Sequence, residues 1–163
     1  MRRQRASRDL LHLEHFLPYR LSVLANTVSA TIASAYAVRH DLTTPEWRVL
    51  AVLAREPGLS AAQVAERTAM DKVAVSRAVN RLLRRRRVAR RQAAADRRRS
   101  HLELTAAGLA VYRQVSPQAL GYERELLRAL SAGEVRQLDA TLARLLDRAR
   151  ELAAERIIAA TAT

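Results

Sequence analysis

The sequence has no cysteine, only four glycines, one tryptophan and one phenylalanine, and far fewer acids than bases. Without cysteine there is no disulfide, no thiolate zinc site and no Cys nucleophile. Nothing marks an oxidising compartment, so the cytoplasm is the expected location. There is no glycine-rich phosphate loop, no Ser/His/Asp order that fits a known triad layout, and no carboxylate pair in an apolar setting. Neither an enzyme nor a bound cofactor is expected. His12 and His15 are spaced to share a helix face, but with no cysteine or carboxylate cluster nearby they are not read as a metal site. No uninterrupted apolar run approaches the roughly 20 residues that span a bilayer. The Arg-rich start (Arg2, Arg3, Arg5, Arg8) leads into charged, amphipathic sequence rather than a signal-peptide core, so neither membrane insertion nor secretion is expected. A chain of 163 residues has room for one domain, or for a small domain with an oligomerisation arm.

What is abundant is positive charge, and it is localised. The net charge is +13, and eleven of the 29 basic residues lie between Arg77 and Arg99, a stretch whose single acid is Asp96. The remainder is close to balanced, with 18 basic and 15 acidic residues. Such a cluster repels itself unless a polyanion neutralises it, and duplex DNA is the obvious candidate. A solvated helix face or a loose tail would also carry arginines. Here they are interleaved with Val75, Val79, Leu82, Leu83, Val88, Leu102 and Leu104 at structural spacing, which argues for a packed domain.

Apolar spacing and punctuation predict mostly helices. From Pro18 to about Arg39, Leu21, Leu24, Val28, Ile32 and Ala35 or Tyr36 make one stripe, with Leu10 to Phe16 either extending the helix or forming a separate short one. Thr43 and Glu46 form a capping box, Leu42 and Trp47 a hydrophobic staple, and Pro57-Gly58 the stop of the second helix. A short helix from Ser60 to Thr68, a turn at Ala69-Met70 and a helix capped by Asp71 give a helix-turn-helix. The segment Val88–Thr105 alternates like two antiparallel strands around a loop, Gln92 to Arg99, which is the wing. Thr105 caps a further helix with a kink or break at Pro117, and Ser131 with Glu134 opens the last one. Its stripe of Val135, Leu138, Leu142, Leu145, Leu146, Ala149 and Leu152 is too broad to leave uncovered. Since a small winged domain cannot cover both terminal stripes, helices from two chains are expected to pack together.

The residues from Leu42 to Gly108 resemble the multiple-antibiotic-resistance regulator (MarR) family. DRRRSHLELTAAG, Asp96 to Gly108, and LSAAQVAERTAMDKVAVSRAVNRLL, Leu59 to Leu83, carry the resemblance, and the flanking helices fit the family's dimerisation arms. It implies a mainly α fold with a small β wing. The expected parts are an N-terminal dimerisation segment (1–41), a winged helix-turn-helix domain (42–108), and linking and C-terminal dimerisation helices (109–163). It also implies a homodimer on a palindromic duplex operator, with a recognition helix in the major groove and a wing in the minor groove. Many members are weakened on DNA by small aromatic acids. Two departures stand out. Arg86-Arg87 replaces the family's Gly and apolar residue, so a left-handed turn at Arg86 carries a steric cost. The loop around Gln92-Ala93-Ala94-Ala95 has no Gly or Pro at its tip and is expected to move in the free protein.

Helical geometry assigns the reading residues. With Val75, Val79 and Leu82 inward, Lys72, Ala74, Ser76, Arg77, Asn80 and Arg81 lie on or near the opposite face. Arg77 suits guanine, Asn80 adenine and Ala74 a thymine methyl, whereas Ser76 and Lys72 suit phosphates equally well. Ser60 and Ala61 begin a helix whose amides can meet a phosphate. The resemblance places Arg98 at the minor groove with Asp96 bracing it, and Arg90, Arg91, Arg97 and Arg99 suit phosphates. An acidic effector, an aromatic carboxylic acid or its thioester, is expected between the arms and the winged domain, against Phe16, Tyr19, Arg20, Trp47 and Arg48. Trp47 is equally well explained as a core residue and Arg48 as an ion-pair partner. The expected function is a repressor; the alternative is a nonspecific nucleic-acid-binding or nucleoid-associated protein without an effector.

Overall fold

The computed structural model describes residues 11–92 and 100–161, and the chain divides into two compact units, residues 1–119 and 120–163. In the first unit a single 3-10 turn, Leu13–His15, precedes α1 (Leu17–His40), so the segment before Pro18 is separate from the long helix. Then follow α2 (Thr44–Arg55), α3 (Ala61–Thr68), α4 (Lys72–Arg84), the strands β1 (Val88–Gln92) and β2 (Ser100–Leu104), and α5 (Ala106–Leu127), whose residues from Leu120 on belong to the second unit. The mainly α fold with a small β wing is as expected.

Each helix of the winged domain starts where a side chain can satisfy free amides. Thr43 Oγ1 accepts from the Glu46 amide at 3.4 Å while the Glu46 carboxylate accepts from the Thr43 amide at 2.8 Å. Ser60 and Gln63 make the same reciprocal pair, which the sequence reading missed, and Asp71 accepts from the Ala74 amide at 2.8 Å. The turn between α3 and α4 runs through Ala69 in the left-handed region, φ 51°. Val49, Leu50, Leu53, Val64, Val75, Val79 and Leu82 meet beneath these helices, with Val88 and Leu102 from the wing strands.

The exit from α4 explains two sequence features together. Arg86 is left-handed, φ 54°, with its amide donating to Leu83 O and that of Arg87 to Leu82 O, both at 2.9 Å. This is the Schellman ending that usually recruits glycine. The Thr105 hydroxyl then donates to Arg86 O (2.7 Å) and accepts from the Gly108 amide (3.1 Å), capping α5. Gly108 lies so close to the Arg87 carbonyl that a β-carbon would sit 2.9 Å from the carbonyl carbon and nearer still to its oxygen. The T-x-x-G spacing is thus a clamp between the end of α4 and the start of α5.

β1 and β2 pair antiparallel with Val88 opposite Leu104, and Leu59 bridges to Leu102 as a third, one-residue strand. His101 Nδ1 lies 2.6 Å from Gly58 O, fastening the wing strand to the turn before α3. α5 continues through Pro117 rather than breaking there. Arg113, Gln114 and Pro117 are exposed, so the carbonyl deprived of its amide partner faces solvent.

α1 buries only its end. Tyr36 is buried and Ile32 half-buried against the winged core, whereas Leu21 and Leu24 are 41 % and 55 % exposed. Its length and its mean hydropathy of 1.4 would suffice to cross a bilayer, which the search for uninterrupted runs overlooked. The interruptions, such as Ser22, Asn26, Thr27 and Ser29, are small and uncharged and barely lower the mean. In the second unit, α6 (Ala132–Thr161) is opened by the Ser131–Glu134 box, whose hydrogen bonds lower the Glu134 carboxyl below its ordinary range. Leu138, Leu142, Leu145, Leu146 and Leu152 of its stripe are all exposed.

Candidate nucleic-acid interface

Successive residues of a helix turn by about 100°, which places Val73, Arg77, Asn80 and Arg84 opposite the buried row of Val75, Ala78, Val79 and Leu82. All four are exposed, Val73 by 58 %. Lys72 and Ser76 are exposed on one flank of this row. Ala74 is half-buried on the other flank, beside a groove of about 300 Å³ lined also by Thr43, Pro45, Arg77, Ala78 and Arg81. Sequence reasoning missed Val73 and Arg84, although projecting the helix from its buried row would have found them. An apolar Val at the centre of a polar face is the better match for a thymine methyl.

Arg81 is placed differently from expectation. Its Nε lies 3.3 Å from the Glu46 carboxylate, which is fully buried, and its terminal nitrogen is 3.8 Å from Asp41. Arg85 also grips Asp41, through carboxylate and carbonyl, and Arg87 donates to His40 O at 2.7 Å. Burial first, and then the Arg85 charge, lower the Arg87 pKa. Burial, then Arg39 and Arg87, lower that of His40.

Ser60 spends its hydroxyl and amide on Gln63, leaving the next amides of α3 as its donors to solvent. On the wing, Arg90 is exposed and Arg91 pairs with Glu103 at 2.9 Å. Asp96, Arg97, Arg98 and Arg99 lie outside the described residues.

The residues expected around an effector fall into two separate places. Tyr19 and Arg20 line an open groove of about 410 Å³ with Glu14, Val23, Leu24 and Thr27. Trp47 and Arg48 line a smaller one of about 150 Å³ with Ser29, Ile32, Tyr36 and Thr44. Phe16 is the N-cap residue of α1, 39 % exposed, and lines neither. Trp47 stacks on Tyr112, centroids 5.8 Å apart, and leans on Tyr36 at 5.7 Å, two partners the sequence reading did not name. Arg48 reaches Ser29 Oγ at 3.4 Å. His12 lies 3.5 Å from Glu14, and no group of three metal-ligating side chains occurs among the described residues.

The model of the MarR family matches residues 40–99, from the end of α1 past β1. That match takes in 60 of the chain's 163 residues, and in this segment the chain is similar to the MarR family. Among similar solved structures, a MarR/EmrR-family regulator from Acinetobacter sp. ADP1 has 25 % identity and a TM-score of 0.80, covering 86 % of this chain and 99 % of that one. PcaV from Streptomyces coelicolor, solved with its natural ligand, has 27 % identity and a TM-score of 0.68, covering 86 % and 98 %. A probable transcriptional regulator from Pseudomonas aeruginosa has 28 % identity and a TM-score of 0.72, covering 82 % and 99 %. No curated protein matches the sequence. The solved structures named here are transcriptional regulators.

Proposed function

We propose that this protein is a homodimeric repressor of the MarR type that binds a palindromic operator through α4 and its wing and is released by a small aromatic carboxylic acid. The observation that carries the DNA reading is the exposed row Val73, Arg77, Asn80 and Arg84, flanked by Lys72 and Ser76 and followed by the wing with Arg90. Arg77 and Asn80 read bases, Val73 or Ala74 meets a thymine methyl, and Lys72, Ser76, Arg90 and the α3 start near Ser60 hold phosphates. In this reading Arg98, with Asp96 as its brace, serves the minor groove and Arg97 and Arg99 serve phosphates. The dimer interface uses residues from Leu10 to Tyr36 and from Leu138 to Ile158, spans that include the exposed Leu21, Leu24, Leu138, Leu142, Leu145, Leu146 and Leu152.

Arg77→Ala and Asn80→Ala are expected to cost about 1–3 kcal/mol each at one base pair and to relax preference there. Arg90→Ala is expected to weaken all duplexes alike and to flatten the salt dependence. Sites selected from random duplexes, followed by binding titrations against selected and random DNA, measure this. Equal losses on both DNAs for the Arg77 and Asn80 variants would leave the alternative of a nonspecific binder. Transcription from a promoter carrying the selected site should fall on adding protein.

For the effector, support comes from Trp47 and Tyr36 lining one pocket with Arg48, whose guanidinium matches a carboxylate. The pocket of about 150 Å³ suits a single-ring acid, and a thioester would need the larger groove at Tyr19 and Arg20. Such a ligand must favour the DNA-incompetent state, since equal affinity for both states shifts nothing. Benzoic and hydroxycinnamic acids and their thioesters are expected to quench or enhance Trp47 fluorescence and to release operator DNA together. A panel that moves neither signal removes the effector and leaves the DNA reading intact.

A further inference from the structure

Two capping boxes in the winged domain do the same local work with different chemistry. Gln63 serves Ser60 with a neutral amide, its Oε1 accepting from the Ser60 amide at 2.9 Å and hydroxyl at 3.0 Å. Glu46 serves Thr43 in the same way with one oxygen, at 2.8 and 2.7 Å. A cap therefore does not require the charge at position 46. Yet Glu46 is wholly buried, where an ionised carboxylate is unfavourable unless a cation compensates it. Its second oxygen makes no hydrogen bond and instead faces Arg81 Nε at 3.3 Å. Arg81 comes from the reading helix and is 39 % exposed.

The same retraction recurs beside it. Asp41, left-handed at φ 47° and well exposed, holds Arg85 and lies 3.8 Å from Arg81, and His40 O holds Arg87. Three of the arginines between positions 77 and 87 are thereby drawn back onto the α1–α2 corner, while Arg77, on the same helix, stays on the outward row.

We infer that Glu46 and Asp41 are specificity-determining positioning residues, withholding Arg81 and Arg85 from DNA phosphates so that α4 meets the duplex chiefly through its base-reading row. A released arginine would reach the backbone and add affinity for any sequence, since phosphate contacts carry no sequence information. The tether lowers affinity for random DNA more than for the operator. This rests on the DNA reading of α4 given above.

The test compares full-length protein, Glu46→Gln, Asp41→Asn and the double variant Glu46→Gln/Arg81→Gln on a selected operator and a random duplex between 50 and 200 mM salt. Glutamine preserves the cap, as Gln63 shows. Glu46→Gln is expected to bind random DNA more tightly at low salt and to lose discrimination. Its log–log salt slope should steepen by about 0.9, so that it loses roughly 3- to 4-fold more affinity than the parent across that range. The double variant should return to the parental slope, because the gain needs Arg81. Asp41→Asn, at an exposed site, should steepen the slope through Arg85 and carries the test if Glu46→Gln does not fold. Unchanged slopes in both single variants, or equal weakening on both DNAs, overturn the inference while the operator preference of the parent keeps the DNA reading. A parent that shows no preference overturns both.

Discussion

Gly108→Ala is expected to destabilise the protein by about 3 kcal/mol, the upper end of overpacking costs, and to lower its thermal midpoint by several degrees or more. The added methyl would meet Arg87 backbone rather than the tip of a flexible side chain. That backbone has little freedom to move. The Arg87 amide donates to Leu82 O, its carbonyl accepts from the Thr105 amide at 3.0 Å, and the Thr105 hydroxyl holds Arg86 O. Displacing it disturbs the end of the reading helix, the cap of α5 and the start of β1 at once. Gly121→Ala is the matched control on the same helix, since its nearest neighbour is the Arg124 side chain at 3.8 Å. It should stabilise by about 0.4–1 kcal/mol through the unfolded chain. Denaturant titrations of the two variants measure the contrast, and a Gly108→Ala protein as stable as Gly121→Ala would dismiss the clamp.

Leu142→Arg together with Leu145→Arg is expected to convert the protein from dimer to monomer at micromolar concentration and to remove binding to a full palindrome. Both leucines are 42 % exposed on a stripe that runs from Leu138 to Leu152 of α6, and a monomer seldom leaves so continuous an apolar face in water. In a lone chain the arginines would remain solvated and cost little, so the fold should survive. In an interface each would bury a charge without a partner. Sedimentation and operator binding should therefore fail together while circular dichroism is unchanged. Truncation of α6 before Ala132 should have the same outcome. A monomeric variant that holds the palindrome with undiminished affinity would contradict the dimer.

Local rules made most of the fold readable. Thr43 with Glu46, Asp71, Thr105 and Ser131 with Glu134 each announce a helix start within four residues of sequence, and every one makes its bond. The cost at Arg86 was equally visible, because a known ending with the wrong residue type marks strain. Contacts between distant segments were not readable. The Trp47–Tyr112 stack joins residues far apart in sequence, and nothing in the spacing around Trp47 points to that partner. Arg81 was assigned to DNA because periodicity gives a direction from the helix axis but not which carboxylate lies along it. Pro117 was read as a kink or break, and the helix runs on through it because a solvent-facing turn can leave the orphaned carbonyl to water. The expected effector cluster dissolved into two grooves for a related reason: Tyr19 and Trp47 sit on helices whose separation no local pattern encodes.

Asp41, Ala69 and Arg86 all carry side chains in backbone conformations that glycine adopts without strain. Each holds a store of stability, on the order of 1–2 kcal/mol, that a single substitution could release. The three are not equivalent as routes of adaptation. Ala69 is exposed and its side chain carries no polar group, so a warmer-living descendant could replace it freely. At Asp41 and Arg86 the same gain would remove a carboxylate that grips two arginines, or one positive charge beside the wing. Selection for heat tolerance and selection for target choice therefore pull against each other at two of these turns and are independent at the third.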